Sequence, residues 1–335
     1  MPSRFVCFTT YHLLLAEAIA RQASISDAEV VWVDEPGIGE SVDEILAGGP
    51  LRTALRLAPI GATRGFARSL VYVRNRRSLR RWMRHQAPGA LFVFNPFRPE
   101  TRALAERLGQ SLHFVEDGLE AYVASSPLRR QERWLRRAAS VVMGVRPFLE
   151  RDFIEYSEWH DAWLLLPERV YAPPGTTLPT LKAVDPTILT NVIERWGTLI
   201  HATLSVGSTS ILVMLDHPDQ AAGLNVDRAI GIASRWGVGP ESMLVKPHPR
   251  DPRSLASVIA GHGVEGIEGR WPVETTFSHL PEGAIVLGGN SSGMLLAAVL
   301  RPDLDLRLRA TEDSALWRLL ESIDARARLE PVRDA

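Results

Sequence analysis

The chain alternates short apolar runs with longer stretches in which apolar residues return every three or four positions. Residues 4–10 (RFVCFTT) make the first run, with the length and aromatic content of a buried strand. Residues 12–22 follow, with Leu13, Leu14, Ala16 and Ile19 on one side, the spacing of an amphipathic helix. Further strands are predicted over 29–33, 90–94, 112–116 and 140–145, separated by helices over 64–86 and 99–109. Strand and helix alternating in this way imply a mostly parallel sheet covered on both faces.

The pattern breaks over 167–186 (PERVYAPPGTTLPTLKAVDP), whose prolines and Pro-Pro-Gly turn suit neither a helix nor a central strand. This segment reads as a linker, giving an N-terminal domain over 1–170 and a C-terminal domain over 171–335. Alternation then resumes, with strands predicted over 210–215, 242–247, 264–267 and 283–288. Helices are predicted over 222–236, 252–260, 273–279 and 291–299, with a terminal helix over 311–327. No internal repeat or low-complexity tract interrupts it. Two such units leave a cleft, and ligands of open parallel sheets sit beyond the carboxyl ends of the strands.

Composition removes several classes of function. Lys and Arg number 38 against 39 Asp and Glu, which argues against a nucleic-acid protein selected for net charge. The single cysteine, Cys7, lies in the first apolar run and reads as a buried thiol, so no disulfide framework or cysteine zinc site can form. The N-terminal apolar stretch is interrupted by Thr9, Thr10, Tyr11, His12 and Glu17, unlike the centre of a secretion signal. No apolar run reaches the length of a membrane span, and the chain is expected in the cytoplasm.

Three turns after predicted strands carry candidate chemistry. Glu116-Asp117-Gly118 ends the run LHFV. A carboxylate there could take the proton from an attacking hydroxyl, provided burial or its neighbour raises its pKa. Neighbouring side chains of a strand point to opposite faces, so one acid of the pair should face the reaction. Lys246-Pro247-His248-Pro249 ends the strand 242–247, with Lys246 and His248 placed by period-two geometry on one side. The prolines stiffen the turn, and an ammonium beside an imidazole suits a phosphate. Gly288-Gly289-Asn290-Ser291-Ser292-Gly293 joins a strand to a helix start, where small residues, hydroxyls and unpaired N–H groups suit an anion. It lacks the Gly-Lys-Ser/Thr ending of a Walker loop. Glu274, at the start of the helix 273–279, could accept hydrogen bonds from ribose hydroxyls.

The triplet EDG (116–118), KPHP (246–249) and NSS (290–292), in that order, resembles the bacterial sialyltransferases and polysialyltransferases of GT-B fold. Their acidic-acidic-Gly, His-Pro and Ser-Ser motifs match about a dozen residues of this chain, and the opening FTTYHLLLAEAI is similar to their first strand and helix. The resemblance implies an α/β chain of two Rossmann-like domains facing across a cleft. It implies transfer of a nonulosonic acid such as sialic acid from a CMP-sugar to a glycan or glycolipid, with inversion and no metal or other cofactor. Asp117 would be general base and His248 general acid or electrostatic stabiliser. Lys246, Pro249, Glu274, Asn290, Ser291 and Ser292 would line the donor site, and Thr10, His12, Glu116 and Gly118 the acceptor side. Three rivals remain open: a CDP-glycerol or CDP-ribitol phosphotransferase, a UDP-sugar enzyme of the same fold such as an epimerase, and a non-catalytic nucleotide-sugar binder.

Other signals are set aside. His217-Pro218 is a second His-Pro, but it lacks the preceding lysine and lies close to the linker, and it reads as a decoy. Asp303-Leu304-Asp305 matches a metal-binding DxD, yet its alternation with Leu304 and Leu306 is that of a half-exposed strand. Residues 74–84 (RNRRSLRRWMR) and 129–137 (RRQERWLRR) read as solvated helix faces with Trp82 and Trp134 packed inward. Their functional reading is contact with anionic headgroups at the inner membrane face or with an acidic glycan. A homodimer stays open.

Overall fold

The opening run becomes β1 (Ser3–Cys7), and Thr9 stops it by capping α1 (Thr10–Gln22), its hydroxyl accepting from the His12 N–H. A computed structural model describes residues 1–33, 42–59, 65–123, 130–146, 159–200, 209–220, 223–249, 251, 253–268 and 271–330. They fall into two units, Met1–Leu189 and Thr190–Ala335.

In the first unit α1 leads to β2 (Ala28–Val33), α2 (Val42–Leu46), β3 (Leu51–Leu57) and α3 (Gly65–Met83). Next come β4 (Gly89–Val93), α4 (Pro99–Leu108), β5 (Gly109–Val115), α5 (Arg130–Met143), β6 (Asp161–Leu164) and β7 (Thr180–Ala183). The sheet has the order β3-β2-β1-β4-β5-β6-β7 and every pairing is parallel. All six residues of β2 are buried, as a strand covered on both faces requires. Tyr72, Leu79 and Met83 of α3, Ala103 and Leu104 of α4, and Ala139 and Met143 of α5 pack with Val6, Val31 and Val93 in one core.

The second unit takes in all but the start of α6 (Pro186–Ile200), then β8 (Ile211–Met214), α7 (Val226–Arg235), β9 (Met243–Lys246), α8 (Leu255–Ile259) and β10 (Glu265–Gly266). A 3-10 helix over Val273–His279 precedes β11 (Ile285–Gly288), α9 (Ser292–Leu300), β12 (Asp305–Arg309), α10 (Ala315–Ser322) and β13 (Ala327–Glu330). Its sheet runs β10-β9-β8-β11-β12-β13, again wholly parallel. In both sheets the chain works outward from its first strand and then returns to that strand's other side. The reversal lies between β1 and β4 in one sheet and between β8 and β11 in the other. Such a reversal opens a crevice at the carboxyl ends of the two strands.

Several predicted elements change. Residues 140–143 are the end of α5 and not a strand: Ala139, Ser140 and Met143 are buried while Val141 is exposed, a helical period. Gly144, with φ +71°, stops the helix in the left-handed region that glycine tolerates. Residues 311–327 divide into α10 and the start of β13. The proline-rich segment 167–186 contributes β7 to the first sheet, and the units divide at Leu189 and not at 170. Asp161 of β6 holds this edge, accepting from His113 Nδ1 of β5 (2.6 Å) and pairing with Lys182 Nζ of β7 (2.6 Å).

Among the described residues no helix is long and apolar enough to cross a membrane. No group of three or more His, Cys, Asp or Glu among them could hold a metal ion. The DxD carboxylates are already paired, Asp303 with Arg301 and Asp305 with Arg307, each at 2.7 Å. Cys7 is buried, and burial pushes its thiol well up.

Candidate active site

In the first unit three adjacent strand ends, those of β1, β4 and β5, converge on one carboxylate. His12 reaches it from the first turn of α1, Asn95 from just beyond β4, and Asp117 itself from just beyond β5. The Phe8 N–H donates to His12 Nδ1 (3.1 Å), which leaves the ring proton on Nε2. That Nε2–H donates to Asp117 Oδ1 (2.6 Å), and Asn95 Nδ2 donates to Oδ2 (2.8 Å). The imidazole is itself fixed, stacked on Phe94 with ring centroids 4.4 Å apart. Burial alone would raise the Asp117 pKa; the attraction and hydrogen bond of His12, the Asn95 amide and the Arg98 charge outweigh it and hold the group below its ordinary range. Asp117 therefore stays an anion, with a quarter of its side chain exposed (26%) against 2% for His12.

Glu116 goes the other way. Its side chain is fully buried, accepting from Tyr11 Oη (2.6 Å), Tyr122 Oη and the Leu165 N–H (2.7 Å). Burial pushes its pKa up to about 7 in spite of these donors. The acid pair thus splits as strand alternation requires: Glu116 ties α1 and β6 together, and Asp117 is the acid presented outward. The raised pKa expected of a base belongs to Glu116, not to Asp117, because only Asp117 has an imidazole N–H and an amide aimed at it. Gly118, at φ +72°, turns the chain sharply after it into a 3-10 helix. Thr10 is buried at the start of α1.

In the second unit the ends of β9, β8 and β11 lie side by side. His248, beyond β9, is partly exposed and its ring meets that of His217, beyond β8, edge to face at 5.1 Å. The histidine of the second His-Pro therefore lies beside His248, since β8 and β9 are paired neighbours. The Asp219 N–H donates to His217 Nδ1 (3.2 Å), leaving the Nε2–H to point elsewhere. Pro249 is exposed. Lys246 and Glu274 are both buried. Burial pushes the Lys246 pKa down to about 8 against the pull of Glu274, and its Nζ donates to the Pro247 carbonyl (3.1 Å). Burial likewise raises Glu274, with Lys246 opposing. The lysine is thus not solvated.

Beyond β11, Gly289 packs so closely on Asp216 that a Cβ would collide with Oδ1. Asn290 accepts from Ser314 Oγ (2.7 Å). Ser291 caps α9 by position without the usual side-chain bond, and its Oγ is buried with no hydrogen-bond partner among the described residues. Ser292 is the first residue of α9. Arg309 feels both the repulsion of Arg228 and the pull of Asp216. The predicted residues thus form two groups, one in each unit. Sequence reasoning missed Asn95, Tyr11, Tyr122, Arg228 and Arg309. Asn95 had a signal, a polar residue straight after the run ALFVF at a strand end.

No protein-family model matches the chain, and no curated protein matches it. Solved structures do. An α/β-galactoside α-2,3-sialyltransferase from the luminous marine bacterium Photobacterium phosphoreum aligns with TM-score 0.54 at 13% identity, over 98% of this chain and 97% of that one. The UDP-GlcNAc 2-epimerase of Methanocaldococcus jannaschii, solved with UDP-GlcNAc and UDP, aligns with TM-score 0.58 at 12% identity, over 99% and 90%. Arabidopsis thaliana UGT89C1, solved with UDP-L-rhamnose, aligns with TM-score 0.51 at 12% identity, over 99% and 86%. The fold is GT-B. Its two parallel α/β domains are the sheets described above.

Proposed function

We propose that this chain is a glycosyltransferase that moves a nonulosonic acid from a CMP-activated donor to a hydroxyl of a glycan or glycolipid. One observation carries the reading: Asp117 is an outward-facing carboxylate kept ionised by His12 and Asn95 at the carboxyl end of the first sheet. Such a group accepts a proton from an acceptor hydroxyl as its oxygen bonds to the anomeric carbon. The bond from that carbon to the CMP phosphate breaks with inversion, and the electron pair leaves on the phosphate. His248 and His217 would meet this developing charge, as proton donors or hydrogen-bond donors. The N-terminus of α9, with the unpartnered Ser291 hydroxyl and Ser292, would hold the same phosphate. Lys246 and Glu274, buried together, would support the His248 turn. Likeness in fold to a sialyltransferase supports the reading, and the resemblance carried by the three motifs favours a CMP-sugar.

Thermal shift with CMP, CDP and UDP tests the donor, and Asp117→Asn tests the base. CMP should stabilise the chain more than UDP. The variant should lose about 10²–10⁴-fold in turnover while its CMP shift is unchanged. Stabilisation by UDP alone would move the assignment to a UDP-sugar enzyme, the class of the epimerase of similar fold.

A further inference from the structure

The chain's charge is balanced as a whole but not in its distribution. Helix α3 carries six arginines and no acid, and α5 four arginines and one acid. Both pack on the same face of the first sheet through the core they share with α4. Their outer surface is not only basic. Leu70 of α3 is 54% exposed, and Trp134, Leu135 and Val141 of α5 are 67%, 42% and 74% exposed. These four make up half of the large apolar side chains exposed among the described residues. Trp134 does not pack inward, as the sequence suggested.

Position sharpens the pattern. At about 100° per residue, 130, 133, 134, 137 and 141 fall within one narrow arc of α5. They read Arg, Arg, Trp, Arg, Val, and all five are exposed. On a helix packed against a sheet this stripe belongs to polar residues. A tryptophan and a valine along one edge of the arc, with three arginines beside them, make instead the composition of a helix lying in a lipid interface. On α3, Leu70, Arg74, Arg77 and Arg81 form a similar exposed stripe. Arg76, Arg84 and Arg107 crowd Arg80 with like charge. An anionic surface would relieve that repulsion, and its acyl region would take up the exposed apolar groups. A nucleic acid or acidic glycan would answer the charge but leave Val141 and Leu70 in water.

We infer that the outer face of α3 and α5 is a docking surface for an anionic lipid bilayer, with Trp134 and Val141 entering the headgroup boundary and the flanking arginines pairing with lipid phosphates. Helices of a parallel sheet run against the strands, so the Arg130 end of α5 lies at the same edge as Asp117. Docking would hold the Asp117 edge near a lipid-anchored acceptor, a consequence that rests on the proposed glycosyl transfer.

Vesicle co-sedimentation of the full chain tests the surface. Vesicles of equal parts phosphatidylglycerol and phosphatidylcholine should bind at least about tenfold more protein than phosphatidylcholine alone. Arg133→Glu with Arg137→Glu should remove most of that binding, and Trp134→Ser with Val141→Ser should lower it severalfold. Unfolding curves matching wild type would show that these exposed changes leave the fold intact. Brominated acyl chains should quench tryptophan emission in wild type and less in Trp134→Phe. Equal binding to both vesicles, or anionic binding that survives either double variant, would overturn the inference. So would duplex DNA binding as tight as vesicle binding, with Trp134 dispensable. Vesicle binding without sugar transfer would leave this surface standing and remove the catalytic reading.

Discussion

The two neighbouring acids after β5 show how little separates an ionised, outward-facing carboxylate from a structural anchor. Both are carboxylates in the same turn, yet one receives an imidazole N–H and an amide at a partly open position, and the other two phenols and a backbone N–H in the dry interior. His12 is a positioning residue on this reading. Replacing it by Ala removes a donor from Asp117 and raises that group's pKa. The acid limb of kcat/KM against pH should then move upward, while nucleotide-induced stabilisation stays as in wild type. An unchanged profile would leave His12 with a structural part only. His217→Ala and His248→Ala should each weaken CMP-induced stabilisation, since the rings touch. Wild-type CMP binding in His217→Ala would return it to the status of a neighbour.

At the scale of elements, the turns after β8 and β11 depend on close contact. Gly289 lies against Asp216, whose Oδ2 is held by the Leu224 N–H (2.7 Å), so the carboxylate cannot easily swing away. Gly289→Ala should destabilise the chain by about 1–3 kcal/mol in urea unfolding and weaken nucleotide binding. A neutral effect on both would mean that the turn relaxes freely. The β7 edge shows why the linker was misread. TLKA is too short and polar to signal a strand, and its place is set by pairing with β6 and by Lys182 on Asp161. The end of α5 failed for another reason: a short apolar run fits a strand or a helix equally well until a packing partner selects the period.

For the whole molecule, Glu116 links stability to pH. Its folded pKa, about 7, lies above the ordinary 4.5, so between those values the folded state binds more protons than the unfolded chain. Stability from this group is therefore full below about 4.5 and falls as pH rises to about 7. Asp117 works in the opposite sense, contributing above the ordinary carboxylate range and losing that contribution as pH falls through its lowered pKa. Urea unfolding at pH 5 and pH 8 should show wild type losing stability relative to Glu116→Gln as pH rises. A constant difference would place the Glu116 pKa near its ordinary value.

Periodicity in the chain was enough to determine the alternation of strand and helix, the parallel α/β class and the polar turns after β5, β9 and β11, because burial on both faces and turn chemistry are local demands on residue type. Which of two adjacent acids turns outward, that His217 meets His248, that Asn95 completes the Asp117 anchor, and that Trp134 faces solvent were decided by tertiary structure. Each depends on strands and helices distant in sequence becoming neighbours, and no local pattern records that adjacency.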